Sequence, residues 1–166
     1  FDDREVAPGT LFVAMPGTSL DGHDFVKRAF GRGASGAVVS RPVEGPHVLV
    51  RDTAAALAAL GTAARARTNA RIAGVTGSVG KTGTKEALAA ALARAPGTAV
   101  HRSVKSYNNH TGVPLSLARM PRDTPYAGVA AIFTSALRRG EAPRARALRT
   151  QGSRRAASML AAAWRA

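Results

Sequence analysis

Short apolar runs bounded by proline and glycine turns alternate along the chain with segments of helical spacing. Leu11-Phe12-Val13-Ala14 lies between Pro8-Gly9 and Pro16-Gly17 and reads as a buried strand. In Phe25-Val26-Lys27-Arg28-Ala29-Phe30, the residues Phe25, Val26, Ala29 and Phe30 fall on one helical face. Asp21 or Asp24 is placed to cap the start of that helix, and Gly31 and Gly33 are placed to end it. Ala37-Val38-Val39 and Val48-Leu49-Val50 read as two more short strands, separated by Pro42 and Pro46. Asp52 then sits as the N-cap of an alanine-rich helix running from Thr53 to about Arg67, with Leu57 and Leu60 on its buried face. Strands alternating with helices predict an α/β unit over residues 1–68.

Thr68-Asn69-Ala70 links this unit to a second one, which opens with the apolar run Ile72-Ala73-Gly74-Val75. A loop carrying Gly77 and Gly80 follows, then Lys81-Thr82, and then Lys85-Glu86-Ala87-Leu88-Ala89-Ala90-Ala91-Leu92-Ala93, a run of strong helix formers. Strand, glycine loop, Gly-Lys-Thr and helix is the layout of a phosphate-binding loop. Glycines allow the backbone N–H groups to approach a phosphate where a Cβ would stand in the way. The helix N-terminus adds further N–H donors and the positive end of its dipole. Lys81 is placed to reach the β- and γ-phosphates and Thr82 to ligate Mg²⁺. The strict pattern has a glycine where this chain has Val75; a tight glycine turn with a solvated Lys81 is the plainer alternative.

Beyond the turn at Ala95-Pro96-Gly97, Thr98-Ala99-Val100-His101 is a candidate strand. Pro114 suits the first turn of a helix packed through Leu115, Leu117 and Ala118. Asn108, Asn109 and Thr111 form a polar loop at its N-terminus, either as a capped turn or as a face for an anionic ligand, and spacing leaves both open.

Composition narrows the picture at a few points. At 166 residues there is room for one ordinary domain or two small ones. No apolar run is long enough to span a bilayer and no secretory pattern opens the chain. It begins at Phe1-Asp2-Asp3 with no Met, the expected mark of a fragment or trimmed product. Cysteine is absent, which removes disulfides and thiolate metal sites. His23 and His47 are isolated, and no histidine pair has metal-ligand spacing on one helix face. Of the net charge of +14, half belongs to residues 127–166, where eight arginines face the single acid Glu141. Lys27-Arg28 and Arg65, Arg67 and Arg71 read as solvated faces.

Four segments carry a family resemblance. Thr76-Gly77-Ser78-Val79-Gly80-Lys81-Thr82 resembles the phosphate loop of the Mur ligases, which also lacks the strict first glycine. Val6-Ala7-Pro8-Gly9-Thr10-Leu11-Phe12-Val13-Ala14, with Asp21-Gly22-His23-Asp24-Phe25-Val26, is similar to the opening domain of one branch of that family, the branch that adds D-alanyl-D-alanine. Gly80-Lys81-Thr82-Gly83-Thr84-Lys85-Glu86 and the stretch from Ser106 through Asn108-Asn109-His110-Thr111-Gly112-Val113-Pro114 to Pro121 are similar to later parts of the same branch.

The resemblance implies an α/β fold in three parts. Residues 1–68 are a small amino-terminal α/β domain holding the UDP end of a nucleotide-sugar precursor, residues 69–126 the first part of a P-loop ATP-binding domain, and residues 127–166 an irregular basic tail. It implies an ATP-dependent ligase of peptidoglycan synthesis that joins D-alanyl-D-alanine to UDP-N-acetylmuramoyl-tripeptide through an acyl-phosphate, with ATP and Mg²⁺ as cofactors. By the same resemblance Lys81 is catalytic, Gly77, Ser78, Val79, Gly80, Lys81, Thr82 and Gly83 bind ATP, Thr82 ligates Mg²⁺, and Asn108, Asn109 and His110 face the substrate. A cytoplasmic monomer with no membrane or nucleic-acid partner is expected.

After Tyr126 the pattern departs. The family continues with Glu-apolar-Gly, whose Glu binds Mg²⁺, whereas Ala127-Gly128-Val129-Ala130-Ala131-Ile132-Phe133 has no acid. The Ala- and Arg-rich remainder has the composition of GC-rich codons read out of frame; a selected basic arm for RNA or anionic lipid is the rival reading. The chain on its own is therefore expected to show little or no ligase turnover. Two other functions stay open from sequence: a non-catalytic module binding UDP-sugar or ATP, and a basic P-loop protein that binds nucleic acid.

Overall fold

The computed structural model describes residues 2–17, 20–75, 81–94, 97–103 and 110–130. These residues form two compact units, one reaching Ala56 and the other starting at Leu57.

The first unit is built on a three-stranded parallel sheet of β1 (Leu11–Val13), β2 (Gly36–Val39) and β3 (His47–Leu49), in that order. Leu11 lies opposite Gly36 and Val38 opposite Val48. Phe12, Ala14, Ala37 and Val39 pack with Val26 and Ala29 of helix α1 (Val26–Gly31). Val13 and Val38, on alternate positions, are buried as well. Burial on both faces explains why these strands read as unbroken apolar runs rather than alternating ones.

The chain enters α1 through a 3-10 turn, Gly22–Phe25, and Asp21 caps that turn by accepting the His23 N–H at 2.9 Å. Phe25 therefore precedes α1 at its N-cap position with no side-chain cap bond, so neither Asp21 nor Asp24 caps the helix itself; Asp21 caps the turn that leads into it. Gly33 adopts φ +94°, the left-handed conformation that closes a helix, and its N–H bonds Phe30 O at 2.9 Å.

Arg28 keeps the expected solvated face, with its side chain 58% exposed, and also ties that face to the start of the chain. Its Nε and Nη2 donate to Asp3 Oδ2 at 3.0 and 2.7 Å, and Arg32 Nη1 donates to Asp3 O at 2.9 Å. Asp3 is only 6% exposed, and a buried carboxylate needs such partners to offset its desolvation. The Arg28 guanidinium also lies 5.0 Å from the centre of the Phe25 ring.

Helix α2 (Thr53–Ala66) starts where Asp52 Oδ1 accepts the N–H groups of Ala54 and Ala55 at 2.7 and 3.0 Å, the expected cap. The second unit holds β4 (Arg71–Val75), α3 (Lys81–Leu92), β5 (Val100–Arg102), α4 (Gly112–Ala118) and β6 (Tyr126–Ala130). Its sheet is parallel in the order β4-β6-β5. Residues 127–130, read from composition as the start of the basic stretch, are thus four-fifths of the central strand, with Tyr126 opposite both Arg71 and Val100. Helix α3 begins at Lys81, four residues before the run of helix formers starts at Lys85.

Ala70, Val113, Leu117, Met120 and Ala127 form the core of this unit, with Ile72 against it. Gly61 lets α2 press on α4: a Cβ there would stand 2.7 Å from Pro114 Cα. Arg67 is not simply solvated, since its Nη2 donates to Met120 O at 3.2 Å while Thr68 Oγ1 donates to Arg122 O at 3.0 Å. The carbonyls at the end of α4 and in the turn beyond it are satisfied in this way.

Candidate phosphate-binding site and polar cluster

In parallel α/β sheets, ligands gather at the carboxyl ends of the strands, where the loops into helices begin. Both units offer polar groups there.

In the second unit β4 ends at Val75 and α3 starts at Lys81. Gly77, Ser78, Val79 and Gly80, four of the residues expected to bind ATP, lie outside the described residues, as do Asn108 and Asn109. The described part of the site is the first turn of α3. Lys81 is its first residue and partly buried; Thr82, Gly83 and Thr84 are exposed. A Cβ built on Gly83 would meet nothing within 4 Å among the described residues. A helix start carrying a lysine and a hydroxyl fits the β- and γ-phosphates of a nucleotide. For Mg²⁺ the donor set is the Thr82 hydroxyl together with phosphate oxygens, the hard oxygen ligands that this ion prefers. Among the described residues no group of three His, Asp or Glu side chains could hold a metal by itself.

His110, the remaining residue expected to face substrate, is exposed in the turn leading into α4. Ser116 Oγ donates to Gly112 O at 2.8 Å in the first turns of that helix, and His101 Nε2 lies 2.8 Å from Ser116 O. Burial holds the His101 imidazole below its ordinary pKa, the hydrogen bond to Ser116 acts in the opposite sense, and the Arg119 charge adds to the lowering.

Sequence reading passed over two features. Lys85, one turn along α3 from Lys81, is 1% exposed and reaches Ser103 O and Glu86. Its run Thr84-Lys85-Glu86 looks like an exposed helix face, and only the pairing of α3 with the sheet shows otherwise.

The second feature lies at the carboxyl end of the first sheet. His23, which looks isolated in the sequence, is buried at the centre of a polar cluster whose other members reach the surface. Ser40 N–H donates to its Nε2 at 2.9 Å, so Nε2 carries the lone pair and Nδ1 carries the proton, donated to Asp21 Oδ1 at 2.6 Å. The His23 backbone N–H and then its ring hold the Asp21 carboxyl below the usual carboxylate range. Arg41 bonds Asp21 Oδ2 at 2.8 Å and Asp24 Oδ1 at 3.2 Å. The close approach of this loop to β1 requires Gly22, where a Cβ would lie 2.5 Å from Met15 N and O. The Asp-Gly-His-Asp string was the only local signal of this cluster.

The fold and site define a parallel α/β protein with a lysine at the start of the helix that follows β4. Residues 2–96 match the Mur ligase family, catalytic domain, and residues 75–133 the Mur ligase middle domain. The chain belongs to the Mur ligase family. It is 42% identical over 131 residues to UDP-N-acetylmuramoyl-tripeptide–D-alanyl-D-alanine ligase of Synechocystis sp., a match covering 76% of this chain and 28% of that protein. With the enzyme of the same name from Escherichia coli K12 the identity is 39% over 128 residues, again covering 76% and 28%. Among solved structures, MurF from Acinetobacter baumannii superposes with a TM-score of 0.67 at 32% identity, covering 78% of this chain and 29% of that one. MurF ligase from Thermotoga maritima in complex with ADP superposes with a TM-score of 0.64 at 30% identity, covering 82% and 32%. The chain spans 28% of the length of these curated relatives.

Proposed function

We propose that these residues form part of an ATP-dependent ligase that adds D-alanyl-D-alanine to UDP-N-acetylmuramoyl-tripeptide in peptidoglycan synthesis. The observation that carries this reading is the position of Lys81 as the first residue of α3, the helix that follows β4, in a chain 42% identical over 131 residues to a ligase of that name. The ADP in the complex of the Thermotoga maritima relative supports a nucleotide ligand.

In this reading residues 1–68 take the UDP end of the precursor, and residues 69–130, through the central strand β6, begin the nucleotide domain. Gly77, Ser78, Val79, Gly80 and Gly83 present backbone N–H groups to the phosphates, Lys81 neutralises charge at the γ-phosphate, and Thr82 ligates Mg²⁺. Asn108, Asn109 and His110 face the tripeptide carboxylate, which ATP activates as an acyl-phosphate before the D-alanyl-D-alanine amine displaces phosphate. The protein's contribution is positioning and charge neutralisation. The setting proposed is the cytoplasm and the state a monomer; no helix among the described residues is long and apolar enough to cross a membrane.

Calorimetric titration tests the proposal. Mg·ATP is expected to bind the wild-type chain and not the Lys81→Ala variant, and UDP-N-acetylmuramoyl-tripeptide is expected to bind both. Equal ATP affinity in the two chains would remove the phosphate-loop reading; binding of the UDP precursor alone would leave a precursor-binding module.

A further inference from the structure

Lys85 is among the largest fully buried side chains of the protein. It follows Lys81 by one turn of α3, and its stem runs beside the central strand: a Cβ on Gly128 would lie 3.6 Å from Lys85 Cγ. Its Nζ donates to Ser103 O at 2.6 Å and lies 3.1 Å from Glu86 Oε1. Glu86 is also bonded by Arg102, and the hydrogen bond from Lys85 is the leading cause that holds its carboxyl below the usual range.

Burying an ammonium is costly even when it is paired, and an apolar side chain would fill the same space at lower cost. The cation gains what an apolar residue could not supply, a tether from α3 to the residue at which the chain leaves β5. Ser103 N–H donates to Gly128 O at 3.1 Å and its carbonyl takes the Lys85 proton, so the peptide groups on both sides of this residue are held. Its hydroxyl is buried and has no hydrogen-bond partner, so the side chain adds nothing to this anchorage. Strand β5 is three residues long and, among the described residues, pairs with β6 on one side. A short edge strand opens locally at low cost, so a tether at its end weighs heavily in how far it is ordered.

We infer that Lys85 is a positioning residue that couples the nucleotide-gripping helix to the end of β5, so that a nucleotide held at Lys81 and Thr82 orders the exit from that strand at Ser103. The inference rests on the nucleotide reading above. Ordering of α3 by a ligand reaches the end of β5 through the buried Lys85–Ser103 contact, beside the exposed Glu86–Arg102 pair, and no displacement of the fold is needed.

Hydrogen exchange followed by mass spectrometry on the full chain, with and without Mg·ATP, tests it. In the wild type, nucleotide is expected to slow exchange in residues 100–103 several-fold. Lys85→Met and Lys85→Gln, neither of which can bring a charged donor to Ser103 O, are expected to bind Mg·ATP and to lose that slowing, while Glu86→Gln keeps it. A purely structural Lys85 would alter exchange equally with and without nucleotide, so the nucleotide-dependent difference separates the two roles. Slowing retained in both Lys85 variants would overturn the inference, and so would a wild type that binds nucleotide with no slowing at β5. Failure of both variants to fold would also overturn it, by making Lys85 a residue of the fold alone. A wild type that does not bind Mg·ATP would instead overturn the nucleotide reading, and the coupling with it.

Discussion

His101 of β5 donates its Nε2 proton to the carbonyl oxygen of Ser116 in α4 at 2.8 Å. Ser116 O can only accept, so the proton is on Nε2. Burial of the ring keeps its folded pKa below the ordinary value. The unfolded chain then binds more protons than the folded one in the window between that lowered value and about 6.5, and stability rises with pH across it. The contribution is complete above about pH 6.5 and is lost as pH falls through the window. Urea midpoints measured from pH 7.5 to 5 are expected to decrease towards acid, with a shallower decrease in His101→Gln. An unchanged slope in that variant would show that other groups govern the acid limb.

Two helical glycines are expected to respond in opposite ways to alanine. At Gly61 a Cβ would meet Pro114 Cα at 2.7 Å and Pro114 O at 2.8 Å, backbone atoms that cannot step aside. The overpacking cost of about 1–3 kcal/mol exceeds the gain in helix propensity of about 1 kcal/mol. Gly83 has nothing within 4 Å of its Cβ position, so Gly83→Ala is expected to stabilise by up to about 1 kcal/mol while leaving its backbone N–H in place. Chemical denaturation of the two variants beside the wild type checks the signs.

Asp52→Ala removes the side-chain acceptor for the Ala54 and Ala55 N–H groups at the start of α2. A loss of about 1 kcal/mol is expected, recovered for the most part by Asp52→Ser, which can cap in the same way. Circular dichroism melts of the three chains distinguish a cap from a charge effect, because serine restores the first and not the second.

Leu117 is wholly buried between Val113, Met120, Ala70 and Ala127. Truncation to alanine deletes buried methyl groups and leaves a cavity, at an expected cost of about 2–5 kcal/mol. The midpoint of urea unfolding followed at Tyr126, in the adjoining strand, reports it.

Residues 127–133 carry no carboxylate, and Thr82 is the one side chain proposed for Mg²⁺. A phosphoryl-transfer site with so few metal ligands is expected to bind nucleotide without turnover. The 166-residue chain incubated with Mg·ATP, UDP-N-acetylmuramoyl-tripeptide and D-alanyl-D-alanine is expected to release no phosphate above the level of Lys81→Ala. Product formation dependent on Lys81 would show that the chain catalyses as it stands.

Local chemistry by itself determined a large part of this protein. Apolar runs between Pro and Gly turns located β1, β2, β3 and β4 to within a residue or two, and Asp52 and Gly33 marked helix ends, because caps and turns depend on neighbours a few positions away. The strand, glycines, Lys81 and Thr82 suggested the phosphate-binding joint for the same reason. Tertiary structure decided what depends on distant partners. Tyr-Ala-Gly-Val-Ala carries little strand preference, yet residues 126–130 become the central strand because β4 and β5 on its two sides satisfy its backbone groups. Arg28 finds Asp3 twenty-five residues away, and His23 meets Ser40 across seventeen. Lys85 becomes a buried tether only because α3 packs against the middle of β6 and reaches the residue after β5. A charged side chain in a helical run looks solvent-facing until the fold supplies the acceptor that makes its burial tolerable.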